Sequence, residues 1–156
     1  GTEVGVKEPS ATFSTCFGAP FMPRHPSVYA EMLGERMDRF DVPVWLVNTG
    51  WSSGPYGEGK RMDIALTRAM IRAVLSGNLR QVPTRHDDTF NLEVPMSCPG
   101  VPDHMLDPRR TWSDPAKYDR YANRLAEMFY ANFSRFKDQV SAEVAAAGPQ
   151  LVRSSN

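Results

Sequence analysis

Residues 42–47, Val-Pro-Val-Trp-Leu-Val, form an unbroken apolar run that leads through a glycine-rich loop, residues 48–61, into a helix-patterned segment at residues 63–76. A short continuous apolar run reads as a strand buried on both faces, the usual situation in the sheet of an α/β protein. Pro43 has no N–H for a ladder and fits only at the start of that strand. After the loop, Ile64, Met70, Ile71, Val74 and Leu75 recur at helical spacing, and Gly77 suits the cap that closes a helix. Strand, glycine-rich loop and helix in this order predict an α/β fold.

The flanking sequence fits one such domain. Residues 11–17 mix β-branched and aromatic side chains before Gly18-Ala19-Pro20, which predicts a short strand closed by a turn. Pro26-Ser27 opens a helix, with Ser27 suited to a cap, and Val28, Met32, Leu33, Met37 and Phe40 give it an apolar stripe that ends before Pro43. Residues 79–111 are dense in Pro, Asp and His and predict extended chain with short strands, such as residues 90–94. Asp114-Pro115 starts a long helix on which Tyr118, Tyr121, Leu125, Met128, Phe129, Asn132 and Phe136 recur at helical spacing, its aromatics expected as core contacts. A shorter alanine-rich helix over residues 141–147 stops at Gly148-Pro149, and residues 151–156 read as a frayed tail.

A chain of 156 residues with 41% hydrophobic content and no internal repeat is enough for one packed domain. Its 18 basic residues balance 18 acidic ones, which removes any general electrostatic case for nucleic-acid or anionic-membrane partners. No apolar run approaches the roughly 20 residues of a bilayer span. The first residues, Gly1-Thr2-Glu3-Val4-Gly5, match no targeting segment and lack an initiator Met, so the chain reads as cut from something longer. Cys16 and Cys98 are too few for a disulfide framework and read as reduced thiols of a cytosolic protein, Cys16 as a core thiol in its strand.

The loop carries the chemistry. Gly54, Gly59 and Lys60 satisfy G-x-x-x-x-G-K, in which glycines let backbone N–H groups approach a phosphate and the next helix favours an anion. Arg61 then stands where that motif needs a hydroxyl to bind Mg²⁺, and Pro55 and Tyr56 crowd the phosphate cradle. The residues alone leave two readings: a ligand-binding loop of another kind, or a mobile surface loop with two solvated cations, Lys60 and Arg61. Cys16, His25, His86, Cys98 and His104, with Asp87, Asp88 and Asp103, lack the spacings of a zinc site. Asp38 with Asp41 and Asp87 with Asp88 read as helix-end and loop residues, not as a catalytic pair.

A set of segments then falls into one family's order. These are Phe13-Ser14-Thr15-Cys16-Phe17-Gly18-Ala19-Pro20-Phe21, His25-Pro26 with Tyr29-Ala30-Glu31, and Leu46-Val47-Asn48-Thr49-Gly50-Trp51. Gly59-Lys60-Arg61, Thr67-Arg68-Ala69, Phe90-Asn91-Leu92 with Pro95, and Leu106-Asp107-Pro108-Arg109 follow. Across almost its whole length the chain resembles the C-terminal portion of ATP-dependent phosphoenolpyruvate carboxykinase. The resemblance implies residues 1–150 as part of the C-terminal, mononucleotide-binding α/β domain and residues 151–156 as a tail. It implies a cytoplasmic enzyme of gluconeogenesis that converts oxaloacetate and ATP to phosphoenolpyruvate, ADP and CO₂, with Mg²⁺ on the nucleotide and Mn²⁺ at the substrate.

In the family, the phosphate loop, the metal ligands and the arginines that grip oxaloacetate lie upstream of these segments. The resemblance therefore implies no catalytic and no metal-binding residue here, and it makes the upstream part of the same polypeptide a partner. What carries over is the nucleotide end: the Arg of the Gly-Lys-Arg motif, the residue after it and a Thr six positions on fall on Arg61, Met62 and Thr67. A guanidinium that stacks on adenine, an apolar side chain that covers it and a hydroxyl near the base edge suit that role. Met62 departs from the Ile that is frequent in the family. The rival expectation is a non-catalytic module of the same fold, and the reading frame upstream of Gly1 discriminates them. The fragment reading carries two more expectations: a buried strand at residues 42–47 beside an unusually large exposed apolar area, and no carboxykinase activity from these residues alone.

Overall fold

The structure is a computed structural model that describes residues 5, 12–15 and 18–150. Its longer helices begin where the sequence supplies a cap. Helix α1, Pro26–Phe40, has proline in its first turn, and its cap is His25, not Ser27: the imidazole Nδ1 accepts from the Ser27 N–H at 3.3 Å. Asp41, in the left-handed region at φ 46°, ends it.

Helix α2, Ile64–Leu75, follows two β-hairpin strands, β1 (Trp51–Ser52) and β2 (Lys60–Arg61). Its C-terminus is a Schellman motif: the Asn78 N–H donates to the Ala73 carbonyl and the Gly77 N–H to the Val74 carbonyl, both at 3.0 Å. Gly77 carries the φ of +74° that this closure demands.

A second hairpin pairs β3, Thr84–Asp87, with β4, Leu92–Pro95, in the antiparallel register Thr84↔Pro95 to Asp87↔Leu92. The strand expected at residues 90–94 thus begins two residues later. Residues 88–91 are consumed by the turn, in which Asp87 Oδ1 accepts from the N–H groups of Thr89 (3.1 Å) and Phe90 (2.9 Å). A 3₁₀ turn, Asp103–Leu106, leads to the short helix α3, Pro108–Thr111, and then to α4, Pro115–Phe133. Asp114 Oδ1 caps α4 by accepting from the Ala116 N–H at 2.9 Å. Helix α5, Ala142–Ala146, is capped by Ser141 and docks on the β3–β4 turn, where Asn91 Nδ2 donates to the Ala147 carbonyl at 3.0 Å.

The core lies between α2 and the segment that follows it: Ala73, Leu79, Cys98 and Val101 are buried, with Trp45, Met70 and Val82 among the side chains packed on them. On α4 the buried residues are Ala122 and Ala126, one turn apart. The expected aromatic core of that helix is therefore corrected. Tyr121 and Phe129 stay largely exposed, and ring contacts of Trp112 with Tyr118 and Tyr121 and of Phe129 with Phe13 hold them at its flanks.

Two expected strands do not form among the described residues. Residues 12–15 are not in a strand, and the rest of that prediction, including Cys16, lies outside the described residues. Residues 42–47 are not a strand and are not buried: Val42 is 50% exposed, Val44 57%, Leu46 79% and Val47 47%, while Trp45 turns to the core. A strand exists only against a neighbouring strand, and among the described residues this run has none. Among the described residues the sheets are the two hairpins, so the architecture there is mixed helix and small antiparallel sheets. The expected exposed apolar area is found: among the described residues twenty large hydrophobic side chains are exposed, against six buried hydrophobic residues, of which three are alanines. No described helix is long and apolar enough to cross a membrane.

Candidate functional site

The glycine-rich loop folds as a tight hairpin. Trp51 pairs with Arg61 and Ser52 with Lys60, and the Met62 N–H donates to the Gly50 carbonyl at 3.0 Å, adding a further rung. At the tip, the Pro55 carbonyl accepts from the N–H groups of Glu58 (3.1 Å) and Gly59 (2.8 Å), and Ser53 (φ 67°), Gly54 (φ 152°) and Gly57 (φ 87°) turn the chain. Tyr56 meets the Trp51 ring edge-on, with centroids 5.4 Å apart. Gly59 is there for space: a Cβ would lie 2.3 Å from the Gly54 oxygen and 2.6 Å from that of Ser52.

This geometry is not that of a phosphate loop. The Glu58 and Gly59 N–H groups are spent on the turn. The start of α2, where such a loop would receive an anion, is occupied by the Asp63 carboxylate, which accepts from the Ala65 N–H at 2.7 Å. A phosphate there would meet a like charge.

Immediately beside the hairpin is an open cleft of about 530 Å³ lined by Thr49, Arg61, Met62, Asp63, Ile64 and Thr67. Arg61, Met62 and Thr67 thus share one hollow. Successive strand residues face opposite ways, so Lys60 is absent from the lining, and among the described residues Arg61 is its only cation. Thr67, in the first turn of α2, donates its N–H and its hydroxyl to the Asp63 carbonyl at 3.2 and 3.4 Å. The cleft offers a planar cation, two apolar side chains, a carboxylate and two hydroxyls, a set that suits a flat heteroaromatic ring with a polar edge. Thr49, Asp63 and Ile64 were not singled out from the sequence as site residues. Their signal was adjacency, since Thr49 precedes the hairpin and Asp63-Ile64 follow Met62 directly. A somewhat larger hollow, about 620 Å³ between α2 and Pro99-Gly100, is lined by Ala69, Ala73 and Leu75 among others, with Arg72 as its one charge.

Elsewhere, polar groups are engaged structurally. Glu93 accepts from the Thr84 hydroxyl at 2.7 Å and lies 3.0 Å from His86 Nδ1, and these two hydrogen bonds hold its carboxyl below the usual range. Burial pushes the Cys98 thiol up, away from the thiolate a nucleophile needs. No three His, Cys, Asp or Glu side chains converge on a metal position among the described residues.

Comparison with known proteins agrees with these segments. The phosphoenolpyruvate carboxykinase family matches residues 1–104. The phosphoenolpyruvate carboxykinase (ATP) of Caldanaerobacter subterraneus subsp. tengcongensis is 55% identical over 150 residues, covering 96% of this chain and 29% of the relative. That of Pelobacter propionicus is 57% identical over 147 residues, covering 94% and 28%. The Thermus thermophilus protein is 54% identical over 150 residues, covering 96% and 28%. The chain spans under a third of the length of these relatives.

Proposed function

Since this chain belongs to the phosphoenolpyruvate carboxykinase family, we propose that it supplies the adenine-binding part of an ATP-dependent phosphoenolpyruvate carboxykinase. Residues 1–150 are then the later part of the mononucleotide-binding domain and residues 151–156 its tail. The reaction is that of the relatives' name read chemically: oxaloacetate loses CO₂, the resulting enolate oxygen takes the γ-phosphoryl group of ATP, and ADP leaves. We place it in the cytoplasm, on the gluconeogenic route. Mg²⁺ and Mn²⁺ belong to this reading, and the resemblance assigns their ligands to the remaining length seen in the relatives. The contribution of these residues is to bind and orient the base.

One observation carries the assignment: Arg61, Met62 and Thr67, taken from the resemblance, lie on one cleft, while Lys60 does not line it. Arg61 stacks on the adenine face, Met62 and Ile64 cover its apolar surface, and Thr67 and Asp63 meet its polar edge. The phosphates extend away from Asp63, whose charge disfavours them. The contact of Arg61 is equal in ground and transition states, so Arg61→Ala in the full-length enzyme raises KM for ATP about two- to thirty-fold with kcat nearly unchanged. Arg61→Lys recovers only part, because an ammonium has no stacking plane. A collapse of kcat at unchanged KM would instead put Arg61 on the transferring phosphate and end this reading.

A further inference from the structure

The hairpin that carries Arg61 is held from outside by two contacts distant in sequence. The Ser53 N–H donates to Thr111 Oγ1 at 3.2 Å, and that hydroxyl donates in turn to the Pro108 carbonyl at 2.7 Å. On the other side of the same tip, the Lys117 ammonium pairs with the Glu58 carboxylate. One contact grips the chain leaving β1 and the other grips it entering β2, three residues before Arg61. Both anchors are themselves tied down. Arg109 on α3 forms a two-pronged pair with Asp119 on α4 (2.8 and 3.0 Å), and Arg85 on β3 donates to the Leu106 carbonyl at 3.3 Å and pairs with Asp107 at 3.4 Å. A continuous set of polar contacts therefore runs from the β3–β4 hairpin through α3 and α4 to the loop tip.

The dipole of its own helix does not favour Lys117. It lies in the first turn of α4, where the macrodipole disfavours a cation. Its hydrogen bond to Glu58 raises its pKa and keeps it charged. The pair also neutralises the one carboxylate on the tip, which would otherwise face a polyanionic nucleotide.

We propose that Lys117 and Thr111 are positioning residues for the nucleotide cleft, clamping the tip of the β1–β2 hairpin onto α3 and α4 so that Arg61 is held in register with the base. The proposal rests on the reading of the cleft as the adenine site. The β1–β2 ladder has only two residue pairs and cannot by itself fix a side chain at its end. The clamp supplies the missing constraint, and it reduces the ordering that ATP must otherwise impose.

The test is a set of variants of the full-length enzyme: Lys117→Met, Glu58→Ala, Thr111→Val, the charge exchange Glu58→Lys with Lys117→Glu, and Arg61→Ala. Folding is checked by thermal melting, and KM and kcat are measured with ATP at saturating oxaloacetate and metal. Each single clamp variant is expected to raise KM for ATP about two- to five-fold, the scale of an exposed pair, with kcat within about twofold of wild type. The charge exchange should restore much of the loss, which a mere packing role for either side chain would not allow. Wild-type KM should rise with added salt while that of Lys117→Met rises less. If Arg61→Ala raises KM and the clamp variants do not, the clamp is refuted and the adenine site stands. If Glu58→Ala lowers KM while Lys117→Met raises it, Lys117 acts only by neutralising charge and positioning is refuted. If Arg61→Ala leaves KM unchanged, the site itself is wrong and the clamp falls with it.

Discussion

Gly59→Ala asks whether the close backbone approach inside the hairpin governs nucleotide binding. The added Cβ would sit 2.3 Å from the Gly54 oxygen, 2.6 Å from the Ser52 oxygen and 2.8 Å from the Gly54 carbonyl carbon. Carbon and oxygen tolerate about 3.3 Å, so the facing strand must withdraw by roughly 1 Å. The obstructing atoms are all backbone, which leaves no side chain to swing aside. Relief requires opening the ladder at Ser52↔Lys60, and forcing such an overlap costs about 1–3 kcal/mol. Arg61 lies two residues further on and moves with the strand. Losing the Arg61 contact altogether is worth about two- to thirty-fold, so KM for ATP should rise within that range and by more than about twofold. Gly57→Ala is the control: its φ of +87° strains any side chain, but nothing lies within 4 Å of its Cβ. It should cost only about 1–2 kcal/mol of local strain and shift KM less. Both are read by steady-state kinetics of the full-length enzyme with thermal melting alongside. A Gly59→Ala enzyme with KM within twofold of wild type would show that the approach is not rigid and that the hairpin does not set the position of Arg61.

Two further outcomes concern stability. Gly34 is in the middle of α1 with nothing within 4 Å of its Cβ, so Gly34→Ala should raise the unfolding free energy by about 0.5–1 kcal/mol, measured by urea titration, and a loss would contradict the open space seen there. The Arg109 guanidinium holds the Asp119 carboxyl below its ordinary range. Its folded pKa is lower than its unfolded one, so this contribution is complete above the unfolded value near about 4 and is lost as pH falls through the folded value. Asp119→Asn should flatten the acid limb of the stability profile below about pH 5. A profile parallel to that of wild type would discount the pair.

What was legible from sequence followed the physics of local interactions. Asp63, Asp114 and Ser141 each cap the helix they were read to start, and Gly77 ends α2, because caps and left-handed glycines act within one turn of chain. The cleft residues Arg61, Met62 and Thr67 came from a resemblance, and no periodicity marks them. Strands β1 to β3 escaped for a different reason. β3, with the polar sequence Thr-Arg-His-Asp, is a strand because β4 pairs with it, while residues 42–47, far richer in strand formers, have no partner among the described residues. An apolar run states that burial is required and is silent on what will do the burying. On α4 the pattern located the helix but not its buried face, since small residues let neighbours approach and the large rings moved to the rim.

Residues 42–47 also decide how this polypeptide behaves when concentrated. Val44, Leu46 and Val47 lie open to solvent with β-prone chemistry and no charge between Val42 and Val47, the composition that seeds intermolecular strand pairing. Pro43 guards one end, because it has no N–H to offer an incoming strand, and Asp41 adds a repelling charge beside it. The other end, Leu46-Val47-Asn48, has no such gatekeeper. Solubility of these residues in isolation should therefore fall steeply with concentration, and a single Val47→Lys change should raise the threshold for precipitation more than any substitution on the already charged face of α1.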